Sequence, residues 1–359
     1  MSHLLYREDI EEVRQRLTTW WNGGDIGRPA MPISCRRPEP IPTVPAMPKP
    51  DGWVTDYSIS NYAYRANQAA RACSDAYYFG EAVPCYAPDL APNCLALYLG
   101  CSGVDTEGTV WCEPIFDKPE AARFVFDKSN RYWDFSYRLA QEALKVGKGK
   151  YLIQFEDFIE GLDTLAALRG TETLLTDLIE RPDWVQQCLR QITDRYFHVY
   201  DIRYDMYRDE VGGSIFWAWA PGRMAKFQCD FSAMISPAMF EEFMVPVLAE
   251  MTERVSYCMY HWDGPGAIPH HDYLLALPKL TMIQWTPGAG VEQVWDKRWW
   301  PLYHKSFEAG KRVYVWADNI ESVMAMKKEL GQHFKNFLLN MSVESPKQAE
   351  EALKMAMVD

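Results

Sequence analysis

Eight short apolar runs limit what this chain can fold into. They are Pro29–Cys35, Cys94–Leu99, Tyr151–Phe155, Ser214–Ala220, Val255–Tyr260, Leu280–Ile283, Arg312–Trp316 and Phe334–Leu339. Runs of this length closed by turn residues read as buried strands. Helical patterns lie between most of them. Ser236-Pro237 opens one, with Phe240, Phe243, Met244, Val247, Leu248 and Met251 on one face despite Pro246. Such alternation implies a parallel sheet covered by helices. Eight units in 359 residues favour a closed (β/α)8 barrel, a TIM barrel, over an open doubly wound sheet. The open sheet would need a glycine fingerprint after its first strand. Gly288-Ala289-Gly290 lacks the third glycine and the position, so no nucleotide cofactor is expected.

The expected organisation is one domain over residues 1–359, with a helical extension at 1–27. Ser2 to Trp21 reads as a helix ended by Gly23-Gly24, and six prolines make Pro38–Pro50 a loop. Tyr57–Tyr78 and Pro119–Lys145 also read as helical. Thr171, Asp318 and Ser345 are expected helix caps, the last two with Glu321 and Gln348 in capping-box positions.

Barrels of this kind carry their sites at the C-terminal ends of the strands. The run ends hold Arg36 and Arg37; Glu156 and Asp157; Trp217 and Trp219; His261 and Asp263; Gln284 and Trp285; Trp316 and Asp318; and Asn340. These are polar or aromatic where the runs before them are apolar, and that concentration points to an enzyme. His261 and Asp263 stand two apart on one run and so point to the same side. Gly264-Pro265-Gly266 then turns the chain away. An imidazole beside a carboxylate can move a proton near neutral pH, so this pair is the expected catalytic centre. The other strand-end residues are expected to bind substrate. His270, His271 and Asp272 read as surface or capping groups.

Composition excludes several classes. The net charge is -12 and no basic run is present, so a nucleic-acid partner is not expected. No stretch approaches the ~20 apolar residues of a membrane helix. The segment MSHLLYREDIEEVRQRL lacks a signal peptide's apolar centre, and nine cysteines show no CxxC spacing. Together these features suggest reduced thiols and a cytoplasmic protein. Fourteen Trp, 20 Tyr and 16 Phe fit an aromatic-lined pocket for a small molecule.

The Val255–Gly290 stretch, the Ser236-Pro237 helix before it and the tail LLNMSVESPKQAEEAL together resemble the uroporphyrinogen decarboxylase superfamily. That superfamily includes cobalamin-dependent methyltransferases. The resemblance implies a (β/α)8 barrel, a site at its strand ends and a corrinoid protein as partner. It departs from the decarboxylases, which carry an arginine-rich loop where this chain has Cys35-Arg36-Arg37-Pro38. It also departs from the methyltransferases, whose zinc is held by His-x-Cys and a later Cys. His261 matches the histidine, Asp263 stands at the first cysteine, and the tail has Asn340-Met341-Ser342. Zinc accepts His and carboxylate ligands, so a modified site on His261 and Asp263 is conceivable. Two ligands do not complete it, and the expectation is a protein without stoichiometric zinc.

Three functions follow. The first is methyl transfer involving a small molecule or corrinoid partner. The second is a cofactor-independent decarboxylase or lyase, with Arg36 or Arg37 gripping a carboxylate. The third is a non-catalytic binding protein on the same barrel. A homodimer is an open assembly state.

Overall fold

The structure, a computed structural model, describes residues 3–358 apart from 40, 42–43, 52, 54, 56, 58 and 107–108. Ser2 and parts of the proline-rich loop lie outside the described residues. In chain order the strands begin with β1 (Pro32–Arg36), β2 (Ala76–Gly80), β3 (Cys85–Tyr86), β4 (Ser102–Asp105), β5 (Val110–Glu113) and β6 (Leu152–Ile153). They continue with β7 (Ser214–Phe216), β8 (Ala218–Ala220), β9 (Met224–Gln228), β10 (Tyr257–Asp263), β11 (Met282–Thr286), β12 (Arg312–Trp316) and β13 (Phe337–Ser342).

Seven of these form the main sheet, in the order β2-β1-β13-β12-β11-β10-β9. From β9 round to β1 every pairing is parallel, and β2 returns antiparallel on the outer side of β1. Parallel neighbours need crossovers. Helices Pro237–Glu253, His271–Ala276, Trp300–Glu308 and Ile320–Leu330 supply them between β9 and β13. Ser236 caps the first of these by accepting from Met239 N, and Pro246 is accommodated inside it. Beyond β9 the ladder continues in fragments. Met224 N donates to Ser214 Oγ in β7 (2.9 Å), Phe155 N donates to Ile215 O in β7 (3.0 Å), and β6 pairs with β3. The molecule is thus mixed α/β around a parallel central sheet. The ladders alone do not draw the expected ring of eight.

Helix Ile10–Trp21 lies across the N-terminal ends of the strands. Trp20 Nε1 donates to Lys335 O (2.9 Å), ahead of β13, and Trp21 Nε1 to Trp219 O (2.8 Å). This helix covers one end of the sheet and leaves the C-terminal strand ends for the site.

Several local expectations are corrected. Cys94–Leu99 is a helix, Cys94–Tyr98, capped by Asn93, whose side chain accepts from Ala96 N. An unbroken apolar run has no period, so a buried helical turn looks like a strand. Ser214–Ala220 is two strands, β7 and β8, folded back antiparallel about Trp217. The Tyr57–Tyr78 helix is Tyr62–Ser74, and its tail is β2. The Pro119–Lys145 helix starts later, at Arg131, where Asn130 accepts from Tyr132 N and Trp133 N. Asn319, not Asp318, caps the helix after β12, and Gly170 precedes the helix that begins at Thr171. Ser345 caps the last helix as expected.

Candidate active site at the strand ends

The parallel register sets the site. Gln228, His261, Gln284 and Tyr314 are level across β9, β10, β11 and β12. Registered neighbours in a parallel sheet share a face, so these side chains point the same way. Two residues further on, Asp230, Asp263, Thr286 and Trp316 rise above that layer. Asp230, His261 and Asp263 each bring a donor atom within 4.8 Å of the others. Alternation sends Trp262 and Trp285 to the opposite face. There they pack 4.7 Å apart, with Trp299 5.0 Å from Trp285, between sheet and helices.

Two hydrogen-bond chains hold the three donors. On one side His261 Nδ1 meets Gln284 Oε1, and Gln284 Nε2 donates to Thr286 Oγ1 (2.9 Å). With the amide oriented this way its oxygen only accepts, which puts the ring proton on Nδ1. Nε2 is then the ring nitrogen left for Asp230 and Asp263. Burial, with Lys226 nearby, pushes the His261 pKa down, so the ring is neutral at pH 7 and Nε2 carries a lone pair.

On the other side the fully buried Lys226 bonds Asp157 Oδ1 and Gln228 Oε1. Gln228 Nε2 then donates to Asp230 Oδ2 at 2.9 Å. Beneath them Glu160 Oε1 accepts from Gln228 N (2.7 Å), and the Asp163 oxygens accept from Asp230 N and Phe231 N (2.8 Å each). Burial raises Glu160 well above the carboxylate range. Burial and the Asp230 charge raise Asp163 to about 7. Asp230 itself is raised, mainly by burial, against the pull of His261 and Lys226.

An aromatic wall stands beside the donors. The Trp217 ring lies 5.5 Å from His261 and 5.3 Å from Trp316, and Lys226 Nζ sits 5.4 Å from its centroid. Trp217 holds φ at 55°, a left-handed conformation that is rare for a bulky residue and typical of functional sites. Tyr314 OH accepts from Asn340 Nδ2 (3.0 Å).

The structure thus gathers His261, Asp263, Gln284, Asp157, Trp217, Trp316 and Asn340 at one end. Others expected there are placed differently. Glu156 turns into the helical layer, bonded to Arg203 Nε (2.7 Å), Ser136 Oγ (3.0 Å) and Tyr207 OH (3.1 Å). Trp219 Nε1 donates to Asp209 Oδ2 (2.8 Å), away from the cluster, and Trp285 is core. Arg37 bonds Ala76 O (2.8 Å) and lies over Tyr77 (4.0 Å) at the β1–β2 edge, while Arg36 is exposed at the end of β1. Asp318 is exposed beside Ser342 and Gln348. His270 and His271 are not surface groups. Both are buried, bonded to Ser232 O (2.9 Å) and Ser306 Oγ (3.0 Å).

Sequence reasoning missed Asp230, Lys226 and Gln228. The signal was present in Met224–Asp230 (MAKFQCD), where polar residues recur at every second position, as on one face of a strand.

Fold and site together define an α/β protein with a polar, acid-rich centre at the C-terminal ends of parallel strands. No family model matches the sequence, and no curated protein matches it. Among solved structures the fold is similar to a methyltransferase from Methanosarcina mazei, with a TM-score of 0.63 over 96% of this chain and 98% of that one. The identity is 13%, so the likeness concerns the fold. No helix among the described residues is long and apolar enough to cross a membrane.

Proposed function

We propose that this protein is a metal-assisted methyltransferase, moving a methyl group between a small molecule and a corrinoid-bearing partner. In this reading the six parallel strands of the central sheet, β1 and β9 to β13, close through β3 and β6 into one (β/α)8 barrel, with β7 bridging β6 and β9. The fold's likeness to a methyltransferase supports the reaction class. The observation that carries the reading is that Asp230, His261 and Asp263 each bring a donor atom within 4.8 Å of the others. A positive centre between them would offset the mutual repulsion of the two carboxylates.

The donor set fits a divalent ion: one imidazole and two carboxylates are ligands that zinc accepts. Asp230 is the third donor whose absence led to the expectation of a zinc-free protein. When bound, the ion would supply Lewis-acid charge to the heteroatom that gives up or receives the methyl group. The protein's own residues do the rest. Gln284 fixes the ring of His261, and the Asp157–Lys226–Gln228 chain aims Asp230, as outer-layer partners of metal ligands do. Lys226 offsets part of the carboxylate charge. Trp217 packs against His261 and Trp316 and walls one side of the site. Of the two arginines the decarboxylase reading relied on, Arg37 is engaged at the β1–β2 edge and Arg36 is exposed at the end of β1, outside the cluster of donors.

The test combines elemental analysis with methyl-transfer assays. Zinc-supplied protein is expected to hold about one ion per chain, lost in Asp230→Ala and His261→Ala. With methylcobalamin and the small molecules that copurify, His261→Gln should slow methyl transfer by roughly 10²-fold or more. A folded protein that binds no divalent ion and leaves the corrinoid spectrum unchanged would overturn the proposal.

A further inference from the structure

Beside the three donors, and sharing Asp230 with them, lies a groove of about 520 Å³. That size lies within the range of small-molecule pockets. Its walls include Trp111 and Val110 from β5, Phe231 and Met234 from the short turn Asp230–Met234, and Ile159 and Ala167 beside or within helix Gly161–Arg169. Trp111 is 67% exposed and Met234 50% exposed. Two large apolar side chains left bare around one groove mark a place where something apolar binds.

The polar lining shows what that ligand is not. No Lys, Arg or His is among the described lining residues, so the walls of the groove away from the donors give an anion no counter-charge. Asp163 already accepts two backbone N–H groups, and Asp230 is held by Gln228 and turned to His261 and Asp263. Asn93 Oδ1 accepts from Ala96 N and Thr164 Oγ1, and its Nδ2 donates to Asp163 O. The side-chain atoms of Asn93 and Asp163 are thus engaged within the protein, and most of what the groove leaves open is apolar surface.

We propose that this groove binds the uncharged, apolar body of the small molecule, leaving its one polar end at Asp230. Calling that molecule the substrate rests on the methyltransferase reading; the groove's preference for a neutral apolar ligand does not. The hairpin of β4 and β5 then acts as a specificity element beside the reaction centre.

Three probes of nearly equal shape separate the possibilities: benzyl alcohol, benzylamine (a cation at pH 7) and benzoate. Binding is read by saturation-transfer NMR and calorimetry on the zinc-supplied protein, with metal content measured on the same samples. Benzyl alcohol should bind about tenfold tighter than either ion, since a charge without a free partner is costly to desolvate. Trp111→Ala and Met234→Lys, both at exposed positions, should weaken it about tenfold with circular dichroism unchanged. Tighter binding of benzylamine or benzoate would overturn the proposal. So would no saturable binding of any probe, or benzyl alcohol affinity unchanged in both variants. None of these readings uses turnover, so a failure of methyl transfer is scored separately from a failure of the groove.

Discussion

His261 shows how one hydrogen bond sets a residue's chemistry. Gln284 Oε1 accepts from Nδ1–H, which leaves Nε2 as the ring nitrogen open to the site. Gln284→Leu keeps the size and removes the acceptor. Zinc affinity in chelator competition is expected to fall about 10- to 100-fold, the usual cost of losing such a partner. An unchanged affinity would mean that packing alone orients the ring. His271 gives the pH prediction. Burial, with Lys305 nearby, lowers its pKa from 6.5 to about 4. The unfolded chain therefore binds a proton at higher pH than the folded one. The resulting stability is full above 6.5 and is lost as pH falls from 6.5 towards 4, by up to about 3 kcal/mol. His271→Phe should flatten the loss between pH 7 and 5 in denaturant titrations; an equally steep loss would place the sensitivity elsewhere. At this scale the sequence was a good guide where strand alternation applied. His261 and Asp263 were legible as a pair. Asp230 went unread although it ends the Lys226, Gln228, Asp230 alternation, because it lies two residues past a strand of only five residues that follows a Pro-Gly turn.

The β7–β8 pair turns on Trp217, the element-scale feature that no residue pattern announced. A hairpin normally shows glycine or asparagine at its left-handed position. Here an apolar run continues unbroken through Ile215-Phe216-Trp217-Ala218-Trp219, so the turn is invisible. Packing against His261, Tyr314 and Trp316 holds the tryptophan there. Of two truncations, Trp217→Gly should therefore melt higher than Trp217→Ala by about 1 kcal/mol, because only glycine adopts φ of 55° freely. Equal melts would show that the backbone relaxes once the ring is gone. Glu156 is the contrasting case. Sequence placed it beside Asp157 at a strand end, but adjacent residues there face opposite ways. Glu156→Gln should destabilise the fold by about 3–5 kcal/mol, by leaving Arg203 buried without its counter-charge. Probe affinity in the folded fraction should stay the same. Weakened binding at full stability would return Glu156 to the site.

At the scale of the whole molecule, the polarity of the strands was legible and their closure was not. Polar residues gather at one end of nearly every run, and the structure puts the candidate centre at that end. Which fragment bonds which depends on partners far apart in sequence, and no local pattern encodes that. Trp20→Ala, at the opposite end, should cost about 3–5 kcal/mol in stability while leaving zinc and probe binding intact. A loss of binding in the folded variant would mean that the two ends are coupled. The seat of this helix has a further consequence. Trp20 bonds a carbonyl 315 residues away and Trp21 one 198 residues away. While the chain is being synthesised the seat of this helix stays incomplete: Trp21 finds its carbonyl once residue 219 has emerged from the ribosome, Trp20 only with residue 335. Until then part of its Leu17, Trp20 and Trp21 face stays uncovered, a target for chaperones and an opening for aggregation.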